Sequence, residues 1–255
     1  MIDLSGKRAF VTGGGRGIGR ATAVLLARAG ARVAVGYRSR KADADETIRA
    51  VQGGAGRARA VAIGADLGDA GAATRAVEDA AGALGGLDLL IVNHGIWPAD
   101  DVPVAELADS QWRGTLRANL DAVLYVCRAA IPHLADGSRI VLVSSTAGQR
   151  GEPFHADYAA TKGAVIAFTK SLAVELAPRI TVNCIAPGWV DTEMCEKPYA
   201  RESGNGKREI EAGIPLGRVA SPEDIAGPIV FLCSDLARHI TGEVLNVNGG
   251  SVLCG

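Results

Sequence analysis

The stretch from Arg8 to Tyr37, "RAFVTGGGRGIGRATAVLLARAGARVAVGY", constrains the fold more than any other part of the chain. "RAFVT" (Arg8–Thr12) is a short apolar run with β-branched residues that ends in glycines, the pattern of a buried strand. The next segment carries apolar residues at helical spacing (Ile18, Ala21, Val24, Leu25) and stops at Gly30, a helix C-terminal signal. "RVAVGY" (Arg32–Tyr37) reads as a second strand. Strand, helix and strand within about thirty residues make a parallel crossover unit.

The alternation continues along the chain. Further strands are expected at Arg59–Asp66, Leu87–Asn93, Ser138–Ser145, Arg179–Gly188 and Glu243–Gly250. Helical patterns occupy Asp69–Leu84, Val104–Leu134 and Ala156–Leu176. The unbroken apolar runs "LDLLIV" and "RIVLV" suit a parallel sheet covered on both faces. No Pro- or Ser-rich linker and no repeat interrupts them. The expectation is one α/β domain over residues 1–255, a doubly wound, Rossmann-type parallel sheet of about seven strands flanked by helices. Residues 190–222 break the rhythm with a charged, weakly periodic segment, which reads as a mobile lid over a site or as a surface excursion.

Composition narrows the function classes. A net charge of −1 without a long basic run argues against nucleic acid or an anionic membrane surface as partner. The five cysteines are scattered and lack a CxxC pair, so free thiols in a reducing compartment are expected and no metal site is read. No charged-then-apolar leader opens the chain and no apolar run is long enough to cross a bilayer, which makes a soluble cytoplasmic protein the expectation.

A glycine-rich turn between a strand and a helix aims backbone N–H groups and the positive helix end at an anion. A triphosphate-binding loop would need Lys and then Ser or Thr after its last glycine, but Gly19 is followed by Arg20 and Ala21. The dinucleotide pattern with glycines at the first, third and sixth places is absent too. What is present is Gly13, Gly17 and Gly19 in G-x-x-x-G-x-G spacing after Thr12. Further on, "YAATK" places Tyr158 and Lys162 four apart on one helix face, where the ammonium is expected to lower the tyrosine pKa. "VLVSSTAG" ends a strand in hydroxyls at Ser144 and Ser145, and Asn119 puts a polar amide inside a helical pattern.

Together these motifs, in this order and over essentially the whole chain, resemble the short-chain dehydrogenase/reductase family. The branch closest in look is that of the 3-oxoacyl-(acyl-carrier-protein) reductases. The resemblance implies that Tyr158 is the general acid/base and that Lys162 holds the nicotinamide ribose. It also implies that Ser145, thirteen residues before Tyr158, bonds the substrate oxygen and that Asn119 supports a proton-relay water. The dinucleotide contacts it implies are Gly13, Gly15, Arg16, Gly17, Ile18 and Gly19 in the loop, with Tyr37 and Arg38 after the second strand. Asp66 and Leu67 would meet the adenine, and Asn93, Gly95, Pro187, Gly188, Val190 and Thr192 would line the cofactor with Tyr158 and Lys162. One departure is "VNHG" (Val92–Gly95), where the family often reads Asn-Asn-Ala-Gly; His94 there is read as packing beside the cofactor or as a pH-sensitive substrate contact.

No acid stands at Gly36, Tyr37 or Arg38, where one would bond the ribose hydroxyls of NAD, while Arg16 and Arg38 offer guanidinium groups for a 2′-phosphate. NADP(H) is therefore the expected cofactor, with NAD(H) as the alternative. Expected substrates are a small ketone or a β-ketoacyl thioester of coenzyme A or an acyl carrier protein, for which Arg128 and Arg179 are candidate contacts. The competing readings are an alcohol or sugar dehydrogenase working oxidatively and a non-catalytic dinucleotide-binding regulator. Trp97, Phe154, His155, Trp189 and Met194 neighbour the motifs and are expected to shape the pocket. The resemblance also implies a homotetramer, and the apolar end "VLNVNGGSVLCG" agrees with a covered C-terminus.

Overall fold

In the computed structural model, which describes residues 2–53, 60–200 and 205–253, seven strands form one sheet. In chain order they are β1 (Arg8–Thr12), β2 (Arg32–Tyr37), β3 (Ala60–Gly64), β4 (Leu87–Val92), β5 (Leu134–Val143), β6 (Ile180–Pro187) and β7 (Val244–Val247). Every pairing is parallel, in the order β3-β2-β1-β4-β5-β6-β7. The helices between them are α1 (Gly17–Arg28), α2 (Lys41–Gln52), α3 (Ala70–Leu84), α4 (Asp109–Leu116), α5 (Ala122–Ala130), α6 (Ala147–Arg150) and α7 (Ala156–Leu176). After β6 come α8 (Glu196–Tyr199), α9 (Gly206–Ala212) and α10 (Pro222–Leu232).

The apolar runs are unbroken because both faces are buried. Phe10, Leu90, Ile140 and Val182 point to the face covered by α3, α5 and α7. Their neighbours Val11, Val35, Ile91 and Val141 point to the other, under α1, α2 and α10. Alternate residues of one strand thus belong to opposite cores.

Three expectations are corrected. The pattern at Val104–Leu134 is not one helix: a 3-10 turn at Val104–Glu106 is followed by extended Leu107 and Ala108, then α4, a π-helical segment at Arg117–Asp121, and α5. β5 begins earlier than expected and ends at Val143, so Ser144 and Ser145 stand beyond the strand end. The 190–222 segment carries a 3-10 turn (Glu193–Cys195), α8 and α9, and is tied back by a Val190–Ala220 bridge; residues 201–204 of that expected lid lie outside the described residues. Two helices that the pattern did not announce, α2 and α10, complete the face beside α1. Ser221 and Asp224 close a capping box at the start of α10.

The chain reverses direction across the sheet between β1 and β4, and their C-terminal ends are tied together through Thr12. Its hydroxyl donates to Ile91 O at 3.3 Å and accepts from Asn93 N at 3.0 Å. His94 Nδ1 lies 2.8 Å from the same oxygen. Nε2 is buried without a partner among the described residues. Burial pushes the His94 pKa from 6.5 down to about 3, with Lys162 adding to the effect. The unfolded chain therefore binds a proton at His94 below pH 6.5 that the folded chain refuses until about pH 3, so stability falls with acidification across that window. His94→Gln, which keeps a polar group for Thr12 but cannot titrate, is expected to lose roughly 2 kcal/mol less than the wild type between pH 7 and 4.5 in urea unfolding. An identical loss in both proteins would show that His94 is free to charge in the fold.

Candidate active site

A cavity of about 380 Å³ opens along the C-terminal ends of β1, β2, β4, β5 and β6. That is where an open parallel sheet leaves a crevice at its switch in strand order. Its far end is the glycine loop. Gly13 and Gly17 have φ of +62° and +50°, which a side chain would strain. A Cβ at Gly19 would lie 2.2 Å from Gly13 O, so that glycine lets α1 start directly against the loop. Arg20 Nε (3.0 Å) and Thr47 Oγ1 (3.1 Å) both donate to Gly15 O and fasten the loop from behind. The first turn of α1 carries no side-chain cap and no acid, leaving its N–H groups and positive end free for an anion. Dinucleotide pyrophosphate fits that cradle.

Arg16 and Arg38 are exposed at the rim of this end, and neither makes a salt bridge among the described residues. The nearby acids are engaged: Asp66 accepts from Arg117 at 2.7 Å and Asp43 lies 3.5 Å from Arg40. The Arg117 bond holds the Asp66 carboxyl below its ordinary pKa despite partial burial. Ser39, Arg40 and Asp43 also line this end; they sit on the turn into α2, a helix absent from the sequence reading.

At the inner end Ser145, Tyr158 and Lys162 line one wall. Tyr158 stands in the first turn of α7, which Asp157 moors by accepting from Thr115 Oγ1 at 2.7 Å and Gln111 Nε2 at 3.3 Å. Lys162 Nζ donates to Val143 O at 2.9 Å, and Lys162 O accepts from Ser144 Oγ at 2.7 Å, so α7 is bolted to the end of β5. The expected lowering of the tyrosine pKa by this lysine is corrected here. The ammonium is 5.7 Å from the ring centroid and bonded to Val143, while burial pushes the phenol up to about 12 and the Ser145 hydroxyl offsets part of the rise. The same burial lowers Lys162 to about 8. Desolvation outweighs charge pairing in the free protein.

Asn119 is buried in the π-helical segment, and it does not line the cavity. Its Oδ1 accepts from Ile96 N at 2.8 Å, and its Nδ2 donates to Ile96 O at 2.8 Å and Thr161 Oγ1 at 3.3 Å. The side chain is thus committed to holding the segment after β4, and a π-bulge is a frequent mark of a functional position. A Cβ at Gly95 would press on both Asn119 Oδ1 (3.2 Å) and Lys162 Nζ (3.4 Å), which accounts for glycine there. Asn93 likewise spends its amide on Thr12 O and Gly13 O, both at 3.2 Å, shaping the loop. Of the residues expected at the site, Gly19 and Asn119 stand behind the wall; the others line the cavity, Pro187, Gly188, Val190 and Thr192 at its opposite side.

Trp97, Trp189 and Met194 line the cavity as expected, whereas Phe154 is 53% exposed and is not part of the lining. His155 is buried behind Trp97, stacked on it at 4.6 Å between centroids, and Trp189 meets Trp97 edge-on at 6.0 Å. Glu152 lines the cavity as well, and sequence pattern gave no sign of it. Arg179 and Arg128 are not brought to the cavity. Arg179 bonds Leu134 O at the N-terminal end of β5, and Arg128 lies over Tyr125 in the last turn of α5.

Comparison with known proteins matches this arrangement. The family model described as Enoyl-(Acyl carrier protein) reductase covers residues 13–251. The chain is 39% identical to hydroxynaphthalene reductase-like protein Arp2 of Metarhizium brunneum, over 98% of this chain and 96% of that one. It is 36% identical to a 3-oxoacyl-[acyl-carrier-protein] reductase of Synechocystis sp., over 99% and 100%. A short chain dehydrogenase from Burkholderia cenocepacia, solved in complex with NADP, superposes with a TM-score of 0.89 at 36% identity, covering 97% of this chain and 98% of the other. With matches of this extent on a sheet and cradle of this form, the chain belongs to the short-chain dehydrogenase/reductase family of oxidoreductases.

Proposed function

We propose that the protein is an NADP(H)-dependent reductase that converts a ketone to a secondary alcohol. The observation that carries this reading is one continuous cavity, with an uncapped helix end and two arginines that make no salt bridge among the described residues at one end and Ser145, Tyr158 and Lys162 at the other. The solved relative that holds NADP supports the cofactor. When bound, the reduced nicotinamide would supply a hydride, hydrogen together with its electron pair, to the carbonyl carbon.

The chain's own residues do the rest. The α1 end and Gly13–Ile18 bind the pyrophosphate, and Arg16 and Arg38 pair with the 2′-phosphate through charge-assisted bonds. Lys162 holds the ribose and is kept in place by Val143 O. Ser145 donates to the substrate oxygen while Tyr158 transfers its phenolic proton to it. A phenol that burial raises to about 12 carries its proton at neutral pH, the form from which reduction starts. Asn119 acts by positioning: its amide holds Ile96 and so the segment beside Gly95 that faces the Lys162 ammonium. Trp97 and Trp189 make a wall suited to a flat ring, and the reductase names of the relatives agree with a ketone; a β-ketoacyl thioester is the second substrate class, on the likeness to the Synechocystis reductase. Self-association into four chains would cover Val174 (82% exposed), Leu124 and Trp112 on α7, α5 and α4, and with them the exposed Leu253; light scattering of a single-chain mass would refute it.

Tyr158→Phe is expected to lower ketone reduction by roughly 10²–10⁴-fold with NADPH binding unchanged in a fluorescence titration. Retained turnover would remove the acid role. Arg16→Ala and Arg38→Ala are each expected to raise the KM for NADPH about tenfold while leaving the KM for NADH nearly constant. Equal effects on the two cofactors would mean that neither arginine reads the 2′-phosphate.

A further inference from the structure

Glu152 is the pocket group that the reaction above leaves without a task. It stands on the turn between α6 and α7, where Gly151 (φ +76°) and Phe154 (φ +65°) both take left-handed backbone. A phenylalanine in that conformation is strained, and strain at a site marks a turn shaped for what it presents. What it presents to the cavity is the Glu152 carboxyl, close enough to Tyr158 for its charge to act on the phenol.

Among the described residues no Lys or Arg lies within salt-bridge distance of Glu152. Its neighbours are the Trp97 indole N–H, near enough to favour the charged form, His155 and Arg150, and a second acid, Asp101. Burial pushes its pKa upward from the ordinary carboxylate value, against those attractions. A half-buried carboxylate without a cation is costly unless a further donor completes it. Trp97 cannot move to do more, being pinned between the His155 stack and the Trp189 edge. Solvent reaches the carboxyl through the cavity in the free protein, so a ligand that displaces that solvent has to supply a donor in its place.

We infer that Glu152 accepts a hydrogen bond from a hydroxyl group of the substrate, and so selects hydroxylated cyclic ketones over plain ones. This rests on the reading that the ketone lies between Tyr158 and the Trp97–Trp189 wall. The indoles hold a flat ring by stacking, and the carboxylate fixes its rotation in the plane by bonding a ring hydroxyl. The same charge repels a carboxylate at that position. Orientation of this kind discriminates more sharply than apolar fit, because a bound ring without the hydroxyl shuts solvent away from the acceptor and leaves it unpaired.

Binding can be read apart from turnover, since Trp97 and Trp189 flank the site and report occupancy by fluorescence quenching. In the presence of NADP+, the wild-type enzyme is titrated with 1-tetralone and with its mono-hydroxylated ring derivatives. At least one hydroxylated ketone is expected to bind about tenfold tighter than the plain one. Glu152→Leu should bring that ratio near one, and Glu152→Gln, which keeps the shape and a weaker acceptor, should retain part of it. NADP+ affinity checks that the variants are folded, and if Glu152→Leu is not, the fall in ratio in Glu152→Gln decides. No preference in the wild type, a preference that survives in both variants, or tighter binding of an amino-tetralone than of any hydroxylated one overturns the assignment. Turnover of the same ketones with NADPH is scored separately: a binding preference without any reduction would sink the proposed reaction and leave the Glu152 contact standing.

Discussion

Thr12 ends β1 with a hydroxyl that donates to Ile91 O near the end of β4 and accepts from Asn93 N just beyond it. Asn93 returns the connection by donating its amide to Thr12 O and Gly13 O. Between them the two residues fix the C-terminal ends of neighbouring strands at the point where the chain order reverses. The glycine loop, the start of α1 and the segment through Gly95 to Trp97 all hang from that junction. A slip there would move the anion cradle relative to Tyr158 and Lys162, which α7 holds against the end of β5. The reaction needs those two ends in a fixed relation, so the junction is a requirement of the chemistry as much as of the sheet.

Desolvation then sets the protonation states. Tyr158, Lys162 and His94 are all driven toward their neutral forms by burial, and Glu152 is driven the same way. The pocket therefore presents a protonated phenol, a weakly held ammonium and a neutral imidazole before any ligand arrives. Arg16 and Arg38, at the other end of the cavity, are not among the groups that shift the phenol.

Much of this was legible in the chain itself, because glycine spacing and strand-end hydroxyls report local geometry. β1, β2 and α7 are bounded in the structure as periodicity implied, and the loop residues line the cavity. The failures have physical causes. α2, "KADADETIRAVQ", buries only Ala44, Thr47 and Val51, so its apolar signal is weak, and the capping box at Ser221 was hidden inside a charged stretch. Spacing alone placed Lys162 on the Tyr158 face but could not weigh the Val143 carbonyl that claims its ammonium. Asn119 looked available as a polar side chain, yet both its amide atoms serve Ile96. Glu152 carried no signal because a lone acid on a turn has the pattern of any surface residue; only the left-handed backbone at Phe154 and the indole beside it give it meaning.

The most direct test follows the transferred atoms. NADPH deuterated at the reactive face of its nicotinamide is mixed with the enzyme and a bicyclic ketone in ordinary water, and the product is examined by mass spectrometry and NMR. The account expects one alcohol stereoisomer carrying deuterium on the carbinol carbon and none on the hydroxyl, whose proton comes from the Tyr158 side. An alcohol without carbon-bound deuterium, or no alcohol from any ketone offered with NADPH, would contradict it.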